Sequence, residues 1–254
     1  MLHSETSETH DTEELFAFPL SPEQQRMWQA DQGQPGNAAY NAAYRWDFRG
    51  SLDHSVLERT FNEIVRRHDI LRTKFTLLDG TPQQIVTVAP HLRISTTDLS
   101  GLPVVERDAA MDRLCSEEAT RGFDLEAAPL IRVGLVRMAD EHHVLMLTLH
   151  HIICDGWSIR LIMEEMQRIY SAFAAGRESH LQEPALQYGD YVVWQRERIE
   201  RGDLAAQLEY WKSKLAGYRR LQVPTDLPTV VEFTTKSAIT ASQLSRDLLS
   251  LIHI

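Results

Sequence analysis

The chain has 254 residues, 43% hydrophobic and 24% charged, the balance of a globular protein with room for one large domain or two small lobes. A formal net charge of -10, with basic residues gathered only as pairs such as Arg66-Arg67 and Arg219-Arg220, excludes a phosphate-neutralising face and hence nucleic acid as partner. Val144–Leu149, the longest apolar stretch, falls far short of a membrane span; with no export signal in the acidic N-terminus, a cytoplasmic chain keeping Cys115 and Cys154 as thiols is expected.

Residues 1–15 are polar and acidic, and are expected to be a disordered leader. Order begins near Phe16. Ser21, Pro22 and Gln24 form the opening of a helix, with Ser21 as N-cap, proline in the first turn and Gln24 closing a capping box. Tyr40, Ala42, Tyr44, Trp46 and Phe48 then alternate with mostly polar residues, as in a strand with one buried face. Asp53 caps a helix running to about His68, whose apolar stripe is Val56, Leu57, Phe61, Ile64 and Val65.

Leu71–Leu77 and Gln84–Val88 are predicted as a hairpin around Asp79-Gly80-Thr81-Pro82. A short strand at Arg93–Thr97 and a helix at Val104–Thr120 follow. Two strands, Leu130–Met138 and His142–His151, are joined through Ala139-Asp140-Glu141. The second is apolar on both faces and belongs centrally in a sheet covered on both sides.

A helix is predicted from about Ser158 to Ala174, with Ile162, Met166, Ile169, Tyr170 and Phe173 in step. Gly176–Pro184 is turn-rich, a candidate linker between lobes. Two further helices are predicted, Tyr188–Arg201 and Asp203–Ala216, before a Pro- and Thr-rich tail from Val223. Mixed strands and helices in this order give an α/β or α+β sandwich.

The stretch that carries chemistry is Leu149-His150-His151-Ile152-Ile153-Cys154-Asp155-Gly156-Trp157-Ser158, where a buried strand gives way to a helix. Strand alternation puts Leu145, Leu147, Leu149 and His151 on one face and Val144, Met146, Thr148 and His150 on the other, so the two imidazoles point opposite ways. An imidazole titrates near 6.5 in water, so a neutral His151 can take a proton from an attacking amine. It can equally hold that amine in place without full transfer, and the sequence leaves both roles open.

A metal site has little support: consecutive strand residues diverge and no third ligand falls at ligand spacing. His142-His143 is expected to be exposed beside its turn. Asp155 can orient an imidazole or form a buried ion pair, the latter being commoner for a carboxylate in a turn with glycine. Cys154, alone in an apolar run, is expected to be a small buried hydrophobe and not a nucleophile.

HHIICDGWS at 150–158 resembles the HHxxxDGxS signature of condensation domains of nonribosomal peptide synthetases, matching at every defining position. LSPEQQRMW at 20–28 is similar to that family's S-x-x-Q-x-R-x-W, RRHDILRTKF at 66–75 to R-H-x-x-L-R-T-x-F, and YGDYVVWQRE at 188–197 to Y-x-D-Y-x-x-W-Q. Four motifs in order across 20–197 make the resemblance specific.

It implies a chloramphenicol-acetyltransferase-like lobe with a mixed sheet flanked by helices, one of two lobes with a tunnel between them. Amide-bond-forming acyl transfer is implied between aminoacyl or peptidyl groups held as thioesters on donor and acceptor carrier proteins. Phosphopantetheine arrives on those carriers, with no metal and no cofactor bound directly. His151 is implied as the catalytic residue, and Gly156 as a close-approach point whose N–H meets the developing oxyanion. His150, Asp155 and Arg67 are implied as supports, with Arg67 (preferred over Arg72) paired to Asp155. Trp28, Tyr188, Tyr191 and Trp194 are expected to pack in the core.

The resemblance divides the chain into a first lobe at 16–176 and, at 177–254, a linker with the start of a second lobe. Pro224-Thr225-Asp226-Leu227-Pro228 is similar to the family's P-T-D-R-P, and the family's later motifs do not follow it. The chain is therefore expected to be a truncated or split domain that needs another chain to complete its tunnel. Two other functions fit the double histidine: a stand-alone acyltransferase of the same superfamily, and a non-catalytic lobe that docks a carrier protein. Asp155-Gly156-Trp157-Ser158 favours condensation over epimerisation, and His150 over heterocyclisation.

Overall fold

The computed structural model describes residues 16–219, 221, 224 and 243–248. Two compact units divide at Arg219 and Arg220. The first holds all the elements discussed below. The expected leader and most of the tail beyond Val223 lie outside the described residues.

Alternating patterns in β2 (Asn41–Arg49), β6 (Ile131–Ala139) and β7 (His142–His150) build one sheet of order β2-β7-β6-β5, with β5 at Ser95–Asp98. β7 pairs antiparallel with β2 on one side and β6 on the other, while β5 joins β6 in parallel. The strand that is apolar on both faces is thus covered on both. Leu145, Leu147 and Leu149 meet α2 (His54–Arg67) and α4 (Gly156–Ala174) in the main core, where Phe61, Ile64 and Ile169 are fully buried. Val144 and Met146 face Ala110 and Met111 of α3 (Val104–Thr120) in a smaller cluster. Complete burial of an aromatic or branched aliphatic side chain stabilises a fold by roughly 1.5–3 kcal/mol, so this two-sided core is what makes β7 rigid.

A second sheet of order β1-β4-β3 comprises Phe16–Pro19, Thr81–Val86 and Thr73–Leu78. Its hairpin turn is the two residues Asp79-Gly80, both left-handed at φ 51° and 76°, as a two-residue turn between twisted strands requires. Thr81 and Pro82 belong to the strand and not to the turn. Pro82 sits beyond the part of β4 that β1 covers, so its missing N–H costs no bond to β1. Leu71 lies in a 3-10 turn, Asp69–Arg72, ahead of the strand.

α1 (Pro22–Gly33) opens with the predicted capping box: Gln24 N donates to Ser21 Oγ at 3.1 Å and Ser21 N donates to Gln24 Oε1 at 3.0 Å. α5 (Tyr188–Glu200) packs on β1, where a Cβ on Gly189 would come within 2.8 Å of the Phe18 ring. Tyr188 is half-buried, but Tyr191 and Trp194 are 43% and 49% exposed, which corrects their assignment to the core. The three rings form a ladder along α5 with centroids 5.7 Å apart. α6 (Ala205–Lys214) buries no residue.

The expected linker is pinned to α2. Arg67 donates to the carbonyls of Leu181 and Gln182 at 3.1 and 2.7 Å, and Gln187 Nε2 donates to Arg67 O at 2.9 Å. His142-His143 is not the exposed pair expected from its place beside a turn. His143 is buried, and His142 bonds Asp47 at 2.6 Å across β2. No described helix is long and apolar enough to cross a membrane.

Candidate active site

β7 delivers the two histidines to the end of the central strand, where they part. His150 is 2% exposed, with its ring 5.9 Å from Tyr40 and edge-on to Phe123 at 6.2 Å. Its Nδ1 accepts the Ile152 N–H at 3.1 Å, which requires an unprotonated Nδ1 and places the neutral ring's proton on Nε2. Burial, and then the neighbouring His151, pull its pKa down to about 4. His150 is a neutral structural histidine.

His151 is exposed, and its backbone N–H continues the ladder to Tyr40 O at 2.8 Å. Its Nδ1 lies 3.1 Å from Cys154 O. A carbonyl can only accept, so Nδ1 carries the hydrogen and the neutral ring keeps its lone pair on Nε2. The adjacent imidazoles therefore hold opposite tautomers. Only His151 offers a basic nitrogen to solvent, and its orientation is set by the turn that follows it.

That turn, 151–155, is bound tightly. Ile153 N donates to His150 O at 3.1 Å, and the Cys154 thiol lies 3.5 Å from the same oxygen. Burial, with the charge of Asp155 added, pushes the Cys154 thiol up to about 12. So inert a thiol is the buried hydrophobe expected from sequence. From α1, the buried Gln24 donates Nε2 to Ile152 O at 3.3 Å and lies 3.4 Å from Gln84 Oε1.

Asp155 departs from its expected partner. It is the N-cap of α4, taking Ser158 N at 2.8 Å and Ser158 Oγ at 2.6 Å in a capping box that starts the helix at Gly156, two residues earlier than predicted. The Ser158 hydroxyl and backbone bonds hold its carboxyl below the usual carboxylate range. Arg67 is 4% exposed, and its guanidinium grips Glu165 at 3.1 and 3.2 Å. Arg72 is engaged with Asp69 at 2.6 Å and Thr87 O at 2.5 Å. Neither arginine pairs with Asp155. A carboxylate that caps a helix at an exposed turn is already satisfied and does not draw a distant cation.

Glu165 is the carboxylate that sequence reasoning missed. It also meets His68 Nε2 at 3.0 Å. Burial raises its carboxyl, but the bonds to His68 and Arg67 outweigh that and hold it at about 2. A signal was present: Glu165 stands between the buried Ile162 and Ile169, on the core side of α4, where a carboxylate needs a cation. Gln24 was legible as a cap and as the glutamine of the S-x-x-Q-x-R-x-W resemblance, but not as a partner of the Ile152 carbonyl.

Gly156 occupies the first turn of α4 with an ordinary φ, and a Cβ added to it meets no atom within 4 Å. The fold itself does not demand glycine here. Beside it Trp157 is 64% exposed, with the Arg160 guanidinium 4.2 Å over its ring. No cluster of three His, Cys, Asp or Glu among the described residues could hold a metal ion.

Residues 16–254 match the condensation domain family. A linear gramicidin synthase polypeptide of Brevibacillus parabrevis is 40% identical over 84% of the chain, a match spanning 4% of that protein. The chondramide synthase of Chondromyces crocatus is 37% identical over 93% of the chain and 6% of its own length. Among solved structures, the starter condensation domain of rhizomide synthetase superposes with a TM-score of 0.71 at 22% identity, covering 80% of this chain and 49% of that one, a likeness of fold. The chain thus spans a small part of the synthases it matches and about half of the solved domain. By its sequence over all described elements, and by the fold that holds His151, the chain belongs to the condensation domain family of nonribosomal peptide synthetases.

Proposed function

We propose that this chain carries the catalytic histidine of an amide-bond-forming acyl transfer, in which an aminoacyl group on one carrier protein attacks the thioester on another. The observation that carries the reading is the pair of opposite tautomers: His150 is locked neutral in the core, while His151 presents a free Nε2 lone pair from a rigid turn.

In the step proposed, the acceptor amine bonds to the donor carbonyl carbon. Nε2 of His151 accepts the proton that the amine sheds and returns it to the departing sulfur as the C–S bond breaks. The N–H of Gly156, at the positive end of α4, donates to the oxyanion in this reading, which is supported by the open space where its Cβ would stand. Asp155 supports the site by starting α4, and Arg67 by joining α2 to α4, not by touching the reacting atoms. Phosphopantetheine enters only as the arm of each carrier, and no resident cofactor or metal takes part.

The test is to incubate the purified chain with donor- and acceptor-loaded carriers, with and without an added second lobe, and to read the amide product by mass spectrometry. Loss of a positioned general base costs about 10²–10⁴ in rate, so His151→Ala should abolish detectable product. Product that persists in His151→Ala, or no product in any combination, overturns the reading and leaves a carrier-docking lobe without chemistry.

A further inference from the structure

Apart from Ser158 of the helix that follows, the turn that aims His151 has one side-chain tether from outside its own strand and loop among the described bonds. It comes from the start of the chain. Gln24 is 1% exposed, and its amide works in two directions. Oε1 accepts the Ser21 N–H at 3.0 Å, fixing the side chain against its own helix, and Nε2 donates to Ile152 O at 3.3 Å. Gln84 of β4, also 1% exposed, stands 3.4 Å away through its Oε1 and donates its own Nε2 to Pro19 O at 2.9 Å. α1 alone reaches the carbonyl of the residue directly after His151, and β4 and β1 stand behind it through Gln84 and Pro19 O.

A capping box needs only the acceptor half of a glutamine. Glutamate would serve it equally well, and with a charge suited to a helix N-terminus. The donor half is what reaches the His151 turn. Ile152 is 3% exposed, so its carbonyl has little access to water, and a buried acceptor without a donor costs enough to make the turn shift. A shift of that peptide moves His151 on one side and Cys154, whose carbonyl holds Nδ1, on the other.

We infer that Gln24 is a positioning residue for His151, acting through its bond to the Ile152 carbonyl; the inference rests on the proposed role of His151. Two variants separate this from plain stability. Gln24→Glu keeps the acceptor for Ser21 N and loses the donor to Ile152 O, while Gln24→Met keeps the shape and loses both. Two readouts apply: the imidazole nitrogen spectrum of His151, which needs no substrate, and kcat against KM in the carrier assay.

The wild-type spectrum should show a single tautomer with hydrogen on Nδ1. Both variants should average the two tautomers and lower kcat at least tenfold, with KM for loaded carriers within about twofold. Should the Gln24 variants fail to fold, Gln84→Met, which removes only the neighbour that steadies the amide, should move the spectrum the same way by a smaller amount. Variants that lower Tm while leaving the His151 tautomer and kcat unchanged overturn the inference. Because the spectrum is read without turnover, that result is distinct from an inactive wild type or a fully active His151→Ala, which strike at the proposed function instead.

Discussion

Asp155 and Arg67 show what one sequence can and cannot give at the scale of the residue. Both carry chemistry that strand and motif spacing makes visible, but partnership depends on distance. Arg67 spends its guanidinium on Glu165 and two carbonyls, while Asp155 caps α4. A double-mutant cycle separates the two pictures. Asp155→Ala should cost about 1 kcal/mol, the loss of an N-cap. Combined with Arg67→Met it should add to within about 0.5 kcal/mol, as independent sites do, whereas Arg67→Met with Glu165→Gln should couple by about 0.5–3 kcal/mol. Urea unfolding of the six proteins decides, and strong coupling between Arg67 and Asp155 would restore the pairing first expected. Histidine direction was legible because a strand alternates with period two. Tautomers were not, since they depend on Cys154 O and Ile152 N, groups that only a folded turn presents.

Elements were most legible where one local rule acts alone. Ser21 with Gln24 marks the start of α1, and the span Val104–Thr120 reads from sequence as the helix it is. The rest failed where tertiary contact decides. Tyr191 and Trp194 have the spacing of a packed stripe, yet α5 turns Gly189 and Val192 onto the lobe and leaves those rings outward. The start of α4 was missed because Gly156 and Trp157 are weak helix formers, and the Asp155–Ser158 capping box prevails over them. Gly156 yields a prediction about that helix. Its φ is ordinary and its Cβ position empty, so Gly156→Ala should leave Tm unchanged or raise it by a degree or two, since alanine suits a helix better by up to about 1 kcal/mol. If the glycine is there for a substrate, the same variant should lose tenfold or more in amide formation. A variant that is stable and fully active removes Gly156 from the site.

Across the whole molecule, a buried histidine in the central strand and a carboxylate that ties α4 to α2 make stability depend on pH in a way that can be worked out. His150 at the end of β7 has its pKa lowered to about 4 by burial and by His151, against about 6.5 for an unfolded histidine. Between those values the unfolded chain binds a proton that the native chain refuses. The contribution of His150 is therefore complete above pH 6.5 and is lost as pH falls through 6.5 towards 4, to a ceiling of about 3 kcal/mol. Glu165, between α2 and α4, is held at about 2 against an ordinary 4.5, so its contribution is complete above 4.5 and is lost as pH falls towards 2. The windows barely overlap, which lets each be assigned. Unfolding free energy should decline on acidification from pH 7 in two stages. His150→Gln, which can still accept from Ile152 N, should flatten the stage between 6.5 and 4.5 and leave the lower one. Glu165→Gln should do the reverse, at a cost in stability at neutral pH. The comparison that decides is each variant's slope against that of the parent chain. Equal slopes for parent and His150→Gln between pH 6.5 and 4.5 would mean that the buried imidazole accepts its proton in the native state, and with it that the Ile152 bond does not fix its tautomer.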